Sequence, residues 1–138
     1  MIKIFIDTNI LIDLIADRKP FSKFAIEIFS AAENGKVNLF ASSHSIATTH
    51  YLLKKNLGEK ELRGILIEIL NYIEIIPVDV DVIKRSLKSS HSDFEDAIQI
   101  IAAQSIGKMD CIVTRNVKDF KGAEIPVFSS DEFVRANL

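Results

Sequence analysis

Ile2-Lys3-Ile4-Phe5-Ile6-Asp7-Thr8-Asn9-Ile10-Leu11-Ile12-Asp13 is the stretch whose reading decides the fold. Its first five residues, four of them large and apolar, read as a strand buried on both faces, the form found in parallel sheets. An acid ends that strand. Asp7 then projects at the carboxyl end, where open α/β sheets place their ligands, and Asn9 reads as the cap of a helix beginning at Ile10. A lone Asp after a strand also reads as a helix cap or a turn closer. Its chemistry therefore depends on whether other carboxylates occupy equivalent strand ends.

Outward from this stretch, helices and strands alternate. Ile10 to Ala16 reads as a short helix broken at Asp17-Arg18-Lys19-Pro20. Phe21, Phe24, Ala25, Ile28, Phe29 and Ala32 then recur at helical spacing, and Asn34-Gly35 closes that element. Val37 to Ala41 forms a second strand, Ser42-Ser43 caps a helix over His44 to Lys55, and Glu59 to Tyr72 carries Leu62, Ile65, Leu66, Ile69, Leu70 and Ile73 on one face. A third strand at Glu74-Ile75-Ile76 leads to a helix capped by Asp79. Its spacing predicts Val80, Ile83 and Leu87 inward and Lys84, Arg85 and Lys88 outward.

Ser89-Ser90-His91-Ser92 reads as a loop, and Ser92 or Asp93 caps a helix whose Ala97 to Ile106 run is apolar nearly all round, ending at Gly107. Cys111 to Thr114 is a fourth strand, Pro126 to Phe128 a fifth, and a final helix starts at Ser130 or Asp131. Strictly alternating strands and helices imply a parallel sheet with right-handed crossovers, an α/β/α three-layer sandwich.

At 138 residues the chain fits one domain, residues 1–138, which can bury roughly two thirds of its unfolded surface. Hydrophobic residues make up 48% and charged residues 26%, with no repeat or low-complexity tract, so the composition is that of a soluble globular domain. A net charge of −2 excludes a generally basic nucleic-acid binder; a phosphate backbone would have to meet a local cluster, for which Arg115, Lys118 and Lys121 are the candidates. The same three also suit a solvated loop. The first residues enter a strand without a basic leader, and no run reaches membrane-spanning length, so no membrane role and a cytoplasmic location are expected. The lone Cys111, set in an apolar run, reads as core, and His44, His50 and His91 lack ligand spacing and read as surface or capping residues.

Asp7 follows strand one, Asp93 and Asp96 open the helix before strand four, and Asp119 follows strand four. With strands one and four adjacent these acids converge at one sheet edge. An oxygen-only cluster suits Mg²⁺ or Mn²⁺, where Zn²⁺ would want His or Cys. Without a cation the acids repel one another; with one, water can be activated for in-line attack on a phosphodiester. Asp93 and Asp96 at i, i+3 also read as a cap and a dipole-favoured acid.

Ile4-Phe5-Ile6-Asp7-Thr8-Asn9, Asp93-Phe94-Glu95-Asp96-Ala97 and Val113-Thr114-Arg115-Asn116-Val117-Lys118-Asp119-Phe120 together resemble the three acidic motifs of the PIN-domain family, which includes the VapC toxins of toxin–antitoxin pairs. Each motif is weak alone; three in order across the chain are specific. The resemblance implies a five-stranded parallel sheet in order 3-2-1-4-5 and Mg²⁺- or Mn²⁺-dependent endoribonuclease activity. It implies RNA as substrate, with an antitoxin protein and a homodimer as partners to be sought. It matches Asp7 and Asp96 to the family's metal-binding acids, with Thr8 assisting, and puts the last acid at Asp119, although some members carry it at the place of Asn116.

Asp93 is a further candidate ligand, and Asn9, Thr48, Thr114 and Asn116 are supporting residues. The family's Glu on the helix after strand two is here Thr48, a neutral hydroxyl, although Asp93, or Glu95 turned inward, would supply a charge. Two rival functions therefore stand beside the nuclease: a catalytically weak or inactive PIN domain that binds nucleic acid or an antitoxin, and a phosphoryl-transfer enzyme using Asp7 as a covalent nucleophile. The commonest signature of the second would want an Asp at Asn9.

Overall fold

A computed structural model describes residues 1–138 and orders five parallel strands as β3-β2-β1-β4-β5. The strands are β1 (Ile2–Ile6), β2 (Val37–Ser42), β3 (Ile73–Ile76), β4 (Cys111–Val113) and β5 (Val127–Phe128). β1 is central: Ile4 pairs with Leu39 of β2 on one side and with Cys111 of β4 on the other. The order 3-2-1-4-5 is the one the family resemblance implied, and the parallel sense the one the alternation of elements implied.

The alternation of side chains along β1 divides the interior into two layers. Ile4 and Ile6 face one core with Leu39, Ala41, Cys111 and Val113, covered by α1 (Thr8–Ile15), α2 (Ser22–Glu33) and α7 (Ser130–Asn137) through Ile10, Leu11, Ile28, Phe29 and Phe133. Phe5 faces the other with Phe40, Ile112 and Phe120, covered by α5 (Val80–Lys88) and α6 (Phe94–Ser105) through Val82, Ile98, Ile101 and Ala102. A third cluster of Ile12, Leu53, Leu62 and Leu66 ties α1 to α3 (Ser43–Leu53) and α4 (Glu59–Ile69). No helix is long and apolar enough to cross a membrane. Cys111 is buried, as its neighbours predicted, and burial pushes its thiol up to about 12, which leaves it inert.

Two local expectations are corrected. The first helix starts at Thr8, not Ile10, and its cap is Asp7, whose Oδ1 accepts from the Thr8 backbone N–H at 2.8 Å. Asn9 is therefore inside the first turn, and its side chain is free to make tertiary bonds. On α5 the stripe expected inward points out: Val80 and Leu87 are 67% and 66% exposed, while Val82 and Ser86 are buried. α5 packs on α6 through the face that carries the buried Val82 and Ser86, whose hydroxyl donates a hydrogen bond to the Val82 carbonyl of its own helix at 2.7 Å. The positions Lys84, Arg85 and Lys88 are exposed, as read.

Candidate active site

Asp7 closes β1 and is the best-connected acid in the molecule. Only 7% exposed, it accepts from the Thr8 N–H and the Gln99 amide on Oδ1, and from the Thr114 hydroxyl (2.8 Å) and the Asn9 amide (3.3 Å) on Oδ2. Its position is fixed by the sheet: the Asp7 N–H bonds the Val113 carbonyl, so β4 brings Thr114 directly beside it. The donors compensate its burial.

Gln99 is the residue that the sequence reading missed. It is 3% exposed on α6, one turn beyond Asp96. Its Nε2 donates to Asp7 Oδ1 at 2.9 Å and to Ser45 Oγ at 2.8 Å, and its Oε1 accepts from Ser42 Oγ at 2.5 Å. Ser45 Oγ in turn meets Thr8 Oγ1 at 2.9 Å. One amide thus locks α1, α3 and α6 around the acid. The signal was in the chain: Gln99 is the sole polar residue of Ala97-Ile98-Gln99-Ile100-Ile101-Ala102-Ala103, where a buried amide needs partners.

These elements enclose a cavity of about 190 Å³ lined by Asp7, Thr8, Asn9 and Ile12 of the first motif, Thr48 of α3, Asp96 and Gln99 of α6, and Asn116. Thr48, aligned on spacing alone with the family's Glu, does face this cavity. His44, which stays partly exposed at the surface as read, and Glu95 reach the same wall: the His44 Nε2 lies 3.3 Å from Thr48 Oγ1 and 3.6 Å from Glu95 Oε1. His50 is paired with Glu59 at 2.7 Å, and the ring of His91 rests against Gly122, where an added Cβ would fall 2.6 Å from it.

Electrostatics link the acids. Partial burial, followed by the charges of Asp93, Asp7, Asp119 and Glu95, raises the Asp96 carboxyl from 3.8 to about 6. Asp93 and Asp119 are exposed and do not line the cavity, but both lie within electrostatic reach of Asp96. Asp93 also caps α6, its Oδ1 accepting from the Asp96 N–H at 2.9 Å. Asp119 lies in a 3₁₀ turn, Val117–Phe120, after β4.

No three His, Cys, Asp or Glu side chains stand together as a ready-made metal shell. Mg²⁺ asks for less, using one or two carboxylates and keeping several waters. Asp7 and Asp96, with the Asn116 amide on the same wall, form an oxygen donor set that fits such an ion, and the mutual repulsion felt at Asp96 is what a cation relieves.

Of the three basic candidates, Lys118 and Lys121 are exposed beside Asp119. Arg115 is engaged internally: its Nε lies 3.2 Å from Oδ2 of the fully buried Asp13, its guanidinium stacks 4.7 Å from the Phe21 ring centre, and its backbone N–H donates to Asn9 Oδ1. Asn9 and Asp13, four residues apart on one face of α1, thus both hold the loop that carries Asn116. A larger apolar groove, about 400 Å³ between α1, α2 and α4 and lined by Leu14, Ile15, Phe29 and Ile69, shares no residue with the acid cavity.

Known proteins share this chain's sequence pattern and fold. Ribonuclease VapC1 of Aquifex aeolicus (strain VF5) is 28% identical over 136 residues, covering 95% of this chain and 92% of that protein. A toxin-antitoxin complex from Klebsiella pneumoniae contains a chain 29% identical, with a TM-score of 0.66 over 91% of this chain and 96% of that one. DNA-bound VapBC from Salmonella typhimurium shares the fold, with a TM-score of 0.70 at 19% identity over 94% of this chain and 99% of that one. The family model described as PIN domain matches residues 3–118, a span that takes in Asp7, Gln99, Asp96 and Asn116, and this chain belongs to the PIN-domain family.

Proposed function

We propose that this protein is a Mg²⁺- or Mn²⁺-dependent endoribonuclease and the toxin of a toxin–antitoxin pair. The observation that carries the reading is that β1, α1, α3, α6 and the loop after β4 bring Asp7 and Asp96, with Thr8, Thr48 and Asn116, to one cavity at the carboxyl end of the sheet, with Asp93 and Asp119 within electrostatic reach of Asp96. The names of its relatives, a ribonuclease and a toxin-antitoxin complex, support the choice of RNA as substrate and of an antitoxin as partner.

Asp7, Asp96 and Asn116 would hold the ion, with Asp119 and Asp93 acting across water. When bound, it supplies an activated water and charge stabilisation for in-line attack on the phosphodiester. The chain supplies orientation. Gln99, Thr114 and the Thr8 N–H fix Asp7 so that its carboxylate needs no reorganisation. Asn9 and Asp13 hold the Asn116 loop against the same cavity. Lys118 and Lys121 offer exposed cations to the RNA backbone beside the acids.

The test is cleavage of single-stranded RNA with Mn²⁺ by the wild-type protein and by Asp96→Asn, which removes an acid but no cap or buried bond. Cleavage by the first and its loss in the second, with metal-free stability kept or raised, is the expected result. Thr48 in place of an acid favours a second reading, a PIN domain that binds without cutting. That reading prevails if the wild-type protein binds RNA or antitoxin but does not cleave.

A further inference from the structure

The cavity wall contains three acids, Asp7, Asp96 and Glu95, and a single side chain able to carry positive charge, His44. The ion that Asp7 and Asp96 would hold answers the charge of one phosphate, but the RNA strand beside it still passes Glu95 and the exposed Asp93, so a donor at the cavity mouth favours its approach. Lys118 and Lys121 lie on the Asp119 segment and are absent from the cavity wall. His44 is on the opposite side, on α3, one helical turn before Thr48, and both face inward.

We propose that His44 contacts the substrate directly, its imidazole N–H gripping a non-bridging phosphate oxygen of the RNA strand at the cavity mouth. The ring is already held for this task. Its Nε2 sits 3.3 Å from Thr48 Oγ1 and 3.6 Å from Glu95 Oε1, while its side chain remains 32% exposed. Glu95 is itself 68% exposed and tethered by no other bond, so a phosphate competes with it on equal terms for the ring. An acid at position 48 would fill this wall with a fourth negative charge. With threonine there, the hydroxyl orients the imidazole instead, and the wall opposite Asp7 and Asp96 becomes a phosphate-binding one. The neutral residue is thus part of a different division of labour between metal side and substrate side.

The inference rests on the ribonuclease reading, and the experiment separates the two. His44→Ala and His44→Gln are compared with wild type for KM and kcat on a short single-stranded RNA with Mn²⁺, for Mn²⁺ affinity by calorimetry without RNA, and for thermal stability. Losing one charge-assisted bond to phosphate should raise KM about tenfold in His44→Ala and leave kcat within about twofold. His44→Gln, which keeps a donor, should recover part of the loss; Mn²⁺ affinity and melting temperature should not move. A wild-type KM in His44→Ala overturns the inference alone. So does a KM rise matched by weaker Mn²⁺ binding, because His44 would then act through the metal. If the wild-type protein cuts no RNA, the ribonuclease reading falls and this inference with it.

Discussion

The Gln99 side-chain amide donates to Asp7 Oδ1 at 2.9 Å, so that the acid ending the first strand is oriented by a helix 92 residues further along the chain. Because the same Nε2 also donates to Ser45 and the Oε1 accepts from Ser42, replacing the side chain orphans several buried groups at once. Gln99→Leu should therefore cost about 3 kcal/mol of stability, less than a plain sum because neighbouring hydroxyls can re-pair. Gln99→Glu keeps the shape but sets a second carboxyl against Asp7. It stays protonated only at low pH, so this variant should be far closer to wild type at pH 4 than at pH 8. Urea unfolding at the two values checks both, and equal losses in Gln99→Glu would reject the contact.

The buried pair of Asp13 and Arg115 makes a second prediction. Burial raises the Asp13 carboxyl, and Arg115 and then Arg18 pull it back down. Neither Asp13 oxygen has a hydrogen bond, because the Arg115 Nε–H at 3.2 Å is not aimed at it. Arg115→Met should then strand the acid at a cost of about 3–5 kcal/mol near neutral pH. The sign follows from linkage. With the cation gone the folded-state carboxyl rises further, so the folded form holds a proton that the unfolded form has lost, and stability drops as pH climbs through that raised value. The penalty should shrink on acidification to pH 4, and Asp13→Leu with Arg115→Met should recover much of it. A penalty independent of pH would mean that the cost is lost stacking on Phe21 instead.

The parallel three-layer sandwich was legible from local pattern and topology rules, whereas the strand order 3-2-1-4-5 came only from the resemblance carried by the three acidic motifs. Apolar runs named the strands, and the alternation of elements made them parallel. What failed was orientation. Val80, Ile83 and Leu87 form a fine inward stripe in isolation, but α5 approaches α6 through Ser86, a contact set by the neighbouring helix. Thr48 lines the cavity at the place that the match to the family's Glu gave it. The direction of the His44 ring was not legible, because it depends on Thr48 and Glu95 converging from two elements. Arg115 read as a phosphate-binding side chain, and only the tertiary structure reveals Asp13 and Phe21 beside it.

Asp96 links acidity to stability without metal. Its folded carboxyl lies at about 6, above the ordinary 3.8, so between those values the folded protein binds the extra proton. This contribution is complete below pH 4 and lost as pH rises through 6. Since the group is half-exposed, solvent screening reduces the effect to about 1 kcal/mol. Asp96→Asn should abolish that fall and be the more stable protein at pH 7.5 without metal, with no advantage at pH 3.5. Melting across pH 3.5–7.5 in a chelator reads this directly; parallel curves for the two proteins would show that neither burial nor the neighbouring acids raise this carboxyl.

The last prediction turns on Thr48, whose hydroxyl lies on the same cavity wall as Asp7 and Asp96. It can orient water but carries no charge, so the site should hold Mg²⁺ more weakly than one with a further carboxylate. Thr48→Glu should tighten Mn²⁺ binding about tenfold, and saturating Mn²⁺ should raise its melting temperature more than that of wild type, because a ligand of the folded form alone stabilises by mass action. Without metal the new acid joins Asp96 and Asp7 and should destabilise, unless the His44 imidazole, 3.3 Å from the Thr48 hydroxyl, donates a hydrogen bond to it. That pairing has its own reading: in the double variant Thr48→Glu with His44→Gln the metal-free loss should deepen while the gain in Mn²⁺ affinity persists. Calorimetric titration at one pH and ionic strength decides the matter. Equal Mn²⁺ affinities for wild type and Thr48→Glu would mean that an acid at this position does not reach the ion, and that the cavity wall formed by α3 serves the substrate alone.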